Sequence, residues 1–228
     1  MRFQLAAIAL LSAVALSACD DDDSNNGGAG QAELRVIHAS PDAPNVDVIV
    51  DGVQVLTEVP FFTASAYLDL QAGSRAIRLE PVGSDTPILE ATVSLDDGEA
   101  VTLMAVDSAA SIEPLVLTDD LSAPPSGDIK VRAVHASPAT ETVDVYVLTP
   151  GDPLPATPTA QGVAYKSASA YVAVPAGDYR LVVTPAGDPT TLAVDVTLTF
   201  AAGEIRTIVA HDDAAAPSGV SAVVVEDN

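Results

Sequence analysis

RVIHASPDAPNVDVIV, Arg35–Val50, returns later in the chain as RAVHASPATETVDVYV, Arg132–Val147. Val46, Val48 and Val50 alternate with Asp47, Ile49 and Asp51, the period of two that sends successive side chains to opposite faces of a strand. On the preceding segment His38 shares a side with Leu34 and Val36 and is expected to lean into a core. Asp47, opposite the valines, is expected to face solvent. Pro41 and Pro138 restrict the serine before them to extended geometry. Ser40 and Ser137 are placed to hydrogen-bond nearby backbone amides and fix a turn. His38 and His135 can give a ring N–H to a carbonyl at the edge of a sheet. The residues His38, Ser40, Pro41 and His135, Ser137, Pro138 are therefore read as a structural turn motif that ends one strand and aims the chain into the next.

Outward from this stretch the pattern is strand and turn. Short apolar runs such as VQVLTEV, RAIRLEP and AVTLMAV are separated by Asp51-Gly52, Ala72-Gly73 and Asp96-Asp97-Gly98. No stretch beyond the N-terminal segment has helical periodicity. Strands at this spacing predict an all-β chain of two tandem immunoglobulin-like antiparallel β-sandwich domains. Ser65-Ala66-Tyr67 recurs as Ser169-Ala170-Tyr171, and Gly98-Glu99 as Gly203-Glu204. Matches in one order make a tandem repeat. The boundaries read as a first domain over 33–121, a linker over 122–128 (Ser122-Ala123-Pro124-Pro125-Ser126-Gly127 at its heart) and a second domain over 129–228. The second copy differs by a longer loop, Thr149–Pro155.

The opening R-x-x-H-A-S-P-D-A-P-x-V-D-V-x-V-D-G of Arg35–Gly52, with the Tyr strand and Ala-Gly turn after it, resembles the bacterial DUF4397 family. The resemblance spans Leu34–Asp120 and Lys130 to about Val225. It implies exported or surface-associated proteins with repeated β-sandwich copies, and it carries no catalytic residues. The second copy departs from the pattern where Ala139-Thr140-Glu141-Thr142 replaces Asp42-Ala43-Pro44-Asn45.

The N-terminal end reads as an address. Met1-Arg2-Phe3-Gln4 carries one positive charge and Leu5–Leu16 is a short apolar run, so 1–18 is read as a secretory signal. It closes in Leu16-Ser17-Ala18-Cys19, which looks like a bacterial lipobox, and Cys19 is the only cysteine. Lipidation at Cys19 would anchor the chain to a membrane surface, and a lone cysteine forms no internal disulfide. Residues 19–32, with Asp20–Asp23 and a Gly-rich stretch, are read as a flexible acidic tether. A calcium site on those aspartates lacks the ligand spacing of a calcium loop.

The formal net charge of −23 sets this chain against nucleic acid and anionic headgroups as partners. Catalysis at Ser40, His38 and the nearby Asp42 and Asp47 is disfavoured. A strand supplies no nucleophile elbow or oxyanion hole, and His38 and Asp47 point apart. A metal site is disfavoured as well. Each copy offers one shared His and one shared Asp, and His211, beside Asp212 and Asp213, has Val106 as its counterpart in the first copy. No cofactor or metal is expected. Tyr67 and Tyr171 are read as surface strand tyrosines rather than sugar-stacking platforms, and Phe61-Phe62 as a strand or loop anchor rather than an exposed patch. With aromatics at 4% and no Trp, the composition weighs against a typical carbohydrate-binding module.

These readings converge on a non-catalytic, lipid-anchored protein of the cell envelope, facing the cell surface or the periplasm. Its role is binding or display, with matrix, polysaccharide or another envelope protein as partner. The alternatives are an envelope hydrolase using His, Ser and Asp near strand ends, and a ligand-free spacer. Whether the two copies pack together or move separately is open at this point.

Overall fold

The computed structural model describes residues 30–228. The signal segment 1–18, Cys19 and the aspartates of the tether lie outside the described residues. The first repeat contains β1 (Gln31–His38), β2 (Val46–Val50), β3 (Val53–Val59), β4 (Thr63–Ala64), β5 (Leu68–Gln71), β6 (Gly73–Pro81), β7 (Leu89–Leu95), β8 (Ala100–Val106) and β9 (Glu113–Asp119). The second contains β10 (Asp128–Ala136), β11 (Thr142–Leu148), β12 (Ala160–Ala164), β13 (Val172–Pro175), β14 (Gly177–Pro185), β15 (Val194–Phe200), β16 (Ile205–Asp212) and β17 (Val220–Glu226).

Each repeat is a two-sheet sandwich, as the strand spacing predicts. In the first, one sheet runs β4-β1-β8-β9, with β5 also on β1, and the other runs β3-β2-β6-β7. The second repeats this with β13-β10-β16-β17 and β12-β11-β14-β15. One feature differs from the antiparallel expectation. β1 pairs with β8 in parallel, Leu34 opposite Val101 and Val36 opposite Leu103, and β10 pairs with β16 in parallel. The chain leaves each first strand, builds the opposite sheet and returns alongside it in the same direction.

The first sandwich closes over Leu34, Val36, Val46, Val48, Ile77, Leu79, Val101 and Leu103, all buried. Burying each such side chain contributes roughly 1.5–3 kcal/mol. The other face of β1 and β8 is buried too. Ile37, Ala39, Met104 and Val106 join Val134, Ala136, Val209 and Val225 of the second repeat in one apolar cluster. The repeats therefore pack through the sheets that hold β1 and β10, and each of these sheets is covered on both sides. The run Ala-Val-Thr-Leu-Met-Ala-Val of β8 is buried throughout, the near-continuous apolar pattern of a strand with no wet face.

The connection between repeats is more fixed than a free linker. β9 ends at Asp119 and β10 begins at Asp128, so the second repeat starts one residue inside the segment read as linker. The Lys130 ammonium meets the Asp120 carboxylate at 2.8 Å and donates to Ser122 Oγ at 2.9 Å. Hydrogen bonds from Lys130 and Ser122 hold the Asp120 carboxyl down at about 2.

Candidate functional site

The duplicated stretch ends each first strand in the same way. His38 is fully buried, and its Nε2 lies 3.1 Å from the Pro44 carbonyl, which accepts its N–H. His135 repeats this with the Thr140 carbonyl at 2.7 Å. The amide two residues on, Ser40 or Ser137, approaches the other ring nitrogen at 3.4 Å. Burial pushes both imidazoles below their ordinary value, against the opposing pull of these carbonyls. The rings therefore sit neutral inside each sandwich and clamp the loop that follows.

The serine hydroxyls do not bond backbone amides, as their position suggests. Ser40 Oγ is buried without a partner among the described residues. Ser137 Oγ instead donates to the Asp212 carboxylate and accepts from Thr140 Oγ at 2.9 Å. The reason lies in the loop. The second copy places Thr140 and Asp212 around its serine. In the first copy Asp42 accepts from the Ala109 amide at 2.7 Å instead. In neither copy does a histidine ring accept from the serine hydroxyl, which is the contact that would activate it as a nucleophile.

Asp47 and Asp144, the shared aspartates of Val-Asp-Val, have a backbone task. The pairing of β2 with β3 and of β11 with β12 slips at this point, and each partner strand carries an extra residue. That bulge places Glu58 at φ 52 and its equivalent Gly162 at φ 65, the left-handed region that glycine enters without cost. The bulged N–H is then free of the ladder. Asp47 accepts it from Glu58 at 2.8 Å, and Asp144 accepts it from Gly162 at 2.8 Å. Asp144 also accepts from Gly187 at 2.9 Å and is buried, while Asp47 is half-buried rather than fully solvent-facing. Ser65 and Ser169 are matched in the same way. Each accepts a first-strand amide, of Val36 or Ala133, at 3.0 Å and donates to the next carbonyl.

The largest polar constellation joins the two repeats. Arg35 Nε and Nη2 donate to Thr102 Oγ1 at 3.0 and 2.8 Å, and Nη1 reaches Asp227 of the other repeat at 2.6 Å. Arg132 does the converse, with Thr207 Oγ1 at 3.2 and 3.0 Å and Asp119 of the first repeat at 2.6 Å. Tyr67 donates to Asp119 at 2.7 Å and Tyr171 to Asp227 at 3.0 Å. Each ring also lies beneath its own guanidinium, at 4.8 and 4.6 Å. The two halves mirror one another residue for residue. Burial pushes both phenols well above their ordinary value. This corrects the reading of Tyr67 and Tyr171 as surface strand tyrosines: they are half-buried, and their hydroxyls point into the join. The arginines and aspartates at its centre are the residues that alternation along a single sandwich assigns to water.

At one end of the join the mirror breaks. Phe62 stacks on His211 with ring centroids 3.8 Å apart and planes 22° from parallel, and Phe61 meets the same imidazole edge-on at 5.7 Å. Phe62 is thus an anchor between repeats, as the anchor reading of the pair expects. At the equivalent position in the second repeat stands Lys166, which pairs with Glu113 of the first at 2.6 Å. His211 Nδ1 donates to the Asp212 carbonyl at 2.7 Å, and its Nε2 is buried without a partner among the described residues. Burial lowers its basicity. Among the described residues no cluster of three or more His, Cys, Asp or Glu side chains is placed to hold a metal ion.

Every lysine and arginine among the described residues is ion-paired. The charge left free on the outer surface is therefore carboxylate.

No curated protein matches the sequence. Among solved structures, the chain is similar to the Bacillus anthracis TIE protein, at 13% identity and a TM-score of 0.26, over 79% of this chain and 33% of that one. It spans about a third of that protein's chain. It is also similar to a family 26 carbohydrate-binding module of Eubacterium rectale Amy13K in complex with maltoheptaose, at 11% identity and a TM-score of 0.26, over 86% of this chain and 97% of that one. A family 41 carbohydrate-binding module from streptococcal virulence factors aligns at 12% identity and a TM-score of 0.25, over 78% and 93%. Likeness at this level carries no inference about what the chain binds. The sequence pattern of the family described as a domain of unknown function, DUF4397, matches residues 2–146 and 154–228. The chain, matched over nearly its whole length and built as two copies of one sandwich, belongs to the DUF4397 family.

Proposed function

We propose that this chain is a lipid-anchored protein of the bacterial cell envelope that presents a two-repeat β-body for non-catalytic binding. The observation that carries the reading is the use to which the duplicated chemistry is put. His38, His135, Asp47, Asp144, Tyr67, Tyr171 and both interface arginines each satisfy an internal group of the fold. What the motif preserves is a scaffold. Its position in the chain supports the envelope location: the signal segment, Cys19 and the acidic, Gly-rich stretch all precede β1. A diacylglyceryl group with a further acyl chain supplies the two hydrophobic signals needed for stable anchoring. The net charge of −23 favours a neutral or cationic partner, of which a polysaccharide or an envelope protein is the expected kind.

The test is protease shaving of intact cells carrying a C-terminally tagged copy, with a periplasmic control protein and a Cys19→Ala variant. Loss of the tag with the control intact supports surface display. Survival of the tag until the outer barrier is opened moves the protein to the periplasmic face. A Cys19→Ala variant that stays in the membrane fraction overturns the anchor.

A further inference from the structure

The two sandwiches share a plan but not a filling. In the first, Val36, Val48, Leu103 and Ala105 are completely buried. Their equivalents in the second, Ala133, Val145, Ile208 and Ala210, all reach solvent, and Ala133 is exposed. Two substitutions account for the opening. Ala133 stands where the first repeat has Val36. Ala160 stands where it has Leu56, a side chain packed against the first core. The bulges fix this second equivalence, since Glu58 and Gly162 carry the same positive φ and lie two residues beyond Leu56 and Ala160. The space vacated is a slot of about 110 Å³ between the sheets, walled by Ala133, Val145, Ala160, Leu181, Val183 and Ile208.

The slot offers a ligand no hydrogen bond. His135 and Ser169 also line it, but the His135 N–H is given to the Thr140 carbonyl. Ser169 Oγ already accepts from Ala133 and donates to Ala170. Apolar cavities of roughly 150 Å³ stay dry and take up hydrocarbons such as benzene, so the present slot suits a slightly smaller group. The first repeat shows the chemistry that fits this space, because there it is filled by aliphatic side chains. The unpaired carboxylates of the surface disfavour an anionic ligand such as a fatty acid.

We propose that the second repeat is a binding site for a compact, uncharged hydrocarbon group about the size of a leucine side chain, inserted between its sheets. The site gives the binding role proposed above a ligand chemistry and rests on that reading. Its failure would leave the envelope location untouched, because shaving tests that separately.

The experiment uses the chain from residue 20 onward, titrated with isobutane, a hydrocarbon the size of a leucine side chain, and, for comparison, octanoate. Methyl resonances of Val145, Val163, Leu181, Val183 and Ile208 report on the slot. The Ala133→Val/Ala160→Leu variant restores the first repeat's filling, and each single replacement is measured as well, so that one overpacked side chain does not obscure the result. Expected are saturable isobutane shifts confined to these methyls, a weaker response to octanoate, and at least tenfold weaker isobutane binding in the folded double variant. Absence of saturable shifts at these methyls overturns the proposal. So do shifts that persist unchanged in the folded variants.

Discussion

Arg35 of the first repeat ends on Asp227 of the second, 2.6 Å away, with both side chains sealed from solvent. Its mirror, Arg132 with Asp119, has the same length and is also buried. Breaking one member of a buried, hydrogen-bonded pair leaves an uncompensated charge and costs about 3–5 kcal/mol. Arg35→Met and Arg132→Met should therefore each lose that amount, by similar margins, in urea unfolding. The wild-type chain should unfold in one transition, because the repeats share a core at Ile37, Met104, Val134 and Val209. Two separated transitions in the wild type would contradict the shared core.

Asp47 and Asp144 hold the same bulge under different cover. Asp47 is half-buried and accepts one amide, while Asp144 is buried and accepts two. Orphaning a buried donor costs about 1–3 kcal/mol. Asp144→Ala should lose about 3 kcal/mol and Asp47→Ala about 1 kcal/mol. Equal losses would remove burial as the cause.

His211 ties stability to acidity. Its neutral ring is pressed on Phe62, burial lowers its affinity for a proton, and the neighbouring Asp212 and Asp213 only partly offset this. The unfolded chain then binds more protons than the folded one at pH just below the ordinary imidazole value of about 6.5. Stability from this group is complete above that value and is lost as pH falls below it. His38 and His135 act in the same direction. Melting temperatures between pH 7.5 and 5.5 should fall in the wild type and fall less in His211→Phe. An unchanged slope in that variant would assign the effect to the other two rings.

Phe62→Ala removes the other half of the stack. A fully buried Phe costs about 3–5 kcal/mol on truncation, and this half-exposed one should cost roughly 2 kcal/mol. Lys166→Ala, which breaks the more exposed ionic contact at the equivalent position, should cost less than about 1 kcal/mol. Thermal melts of the two variants decide whether the aromatic contact or the ionic one holds the join.

Salt should stabilise the protein. The lysines and arginines among the described residues are already paired, so the carboxylates that remain on the surface repel one another. The Debye length falls from about 10 Å at 0.1 M to about 3 Å at 1 M. A melting temperature that rises between those concentrations fits repulsion among free carboxylates. A fall would mean that the exposed pairs, such as Arg180 with Asp195, contribute more than the repulsion does.

Much of the fold is legible from residue order alone. The repeat fixes two sandwiches, and the parity of His38 with Leu34 and Val36 places its ring inside. The join was harder to see. Arg35 and Arg132 lie on strand faces that alternation gives to solvent, and only the presence of a second sheet buries them. The signal was there in two forms: an Arg, a Tyr, a Thr and an Asp recurring at equivalent positions, and a β8 run with no polar face. Read one repeat at a time, neither says that the outer face of one copy is the inner face of the pair. The Ser137 hydroxyl is not legible in its motif because Thr140 and the strand-end Asp212, which the first copy does not match around Ser40, take it up, while Ser40 Oγ finds no partner among the described residues.

The first strand has a mechanical consequence. β1 lies inside its sheet, in register with β5 on one side and with β8 on the other. A pull on the chain at Gly30 acts along the axis of β1, across hydrogen bonds that run perpendicular to it toward β5 and slanted toward β8. The bonds on both sides are then loaded together in shear, rather than opened singly like a zipper. On the proposed anchor at Cys19, drag on the body would load this strand along its length.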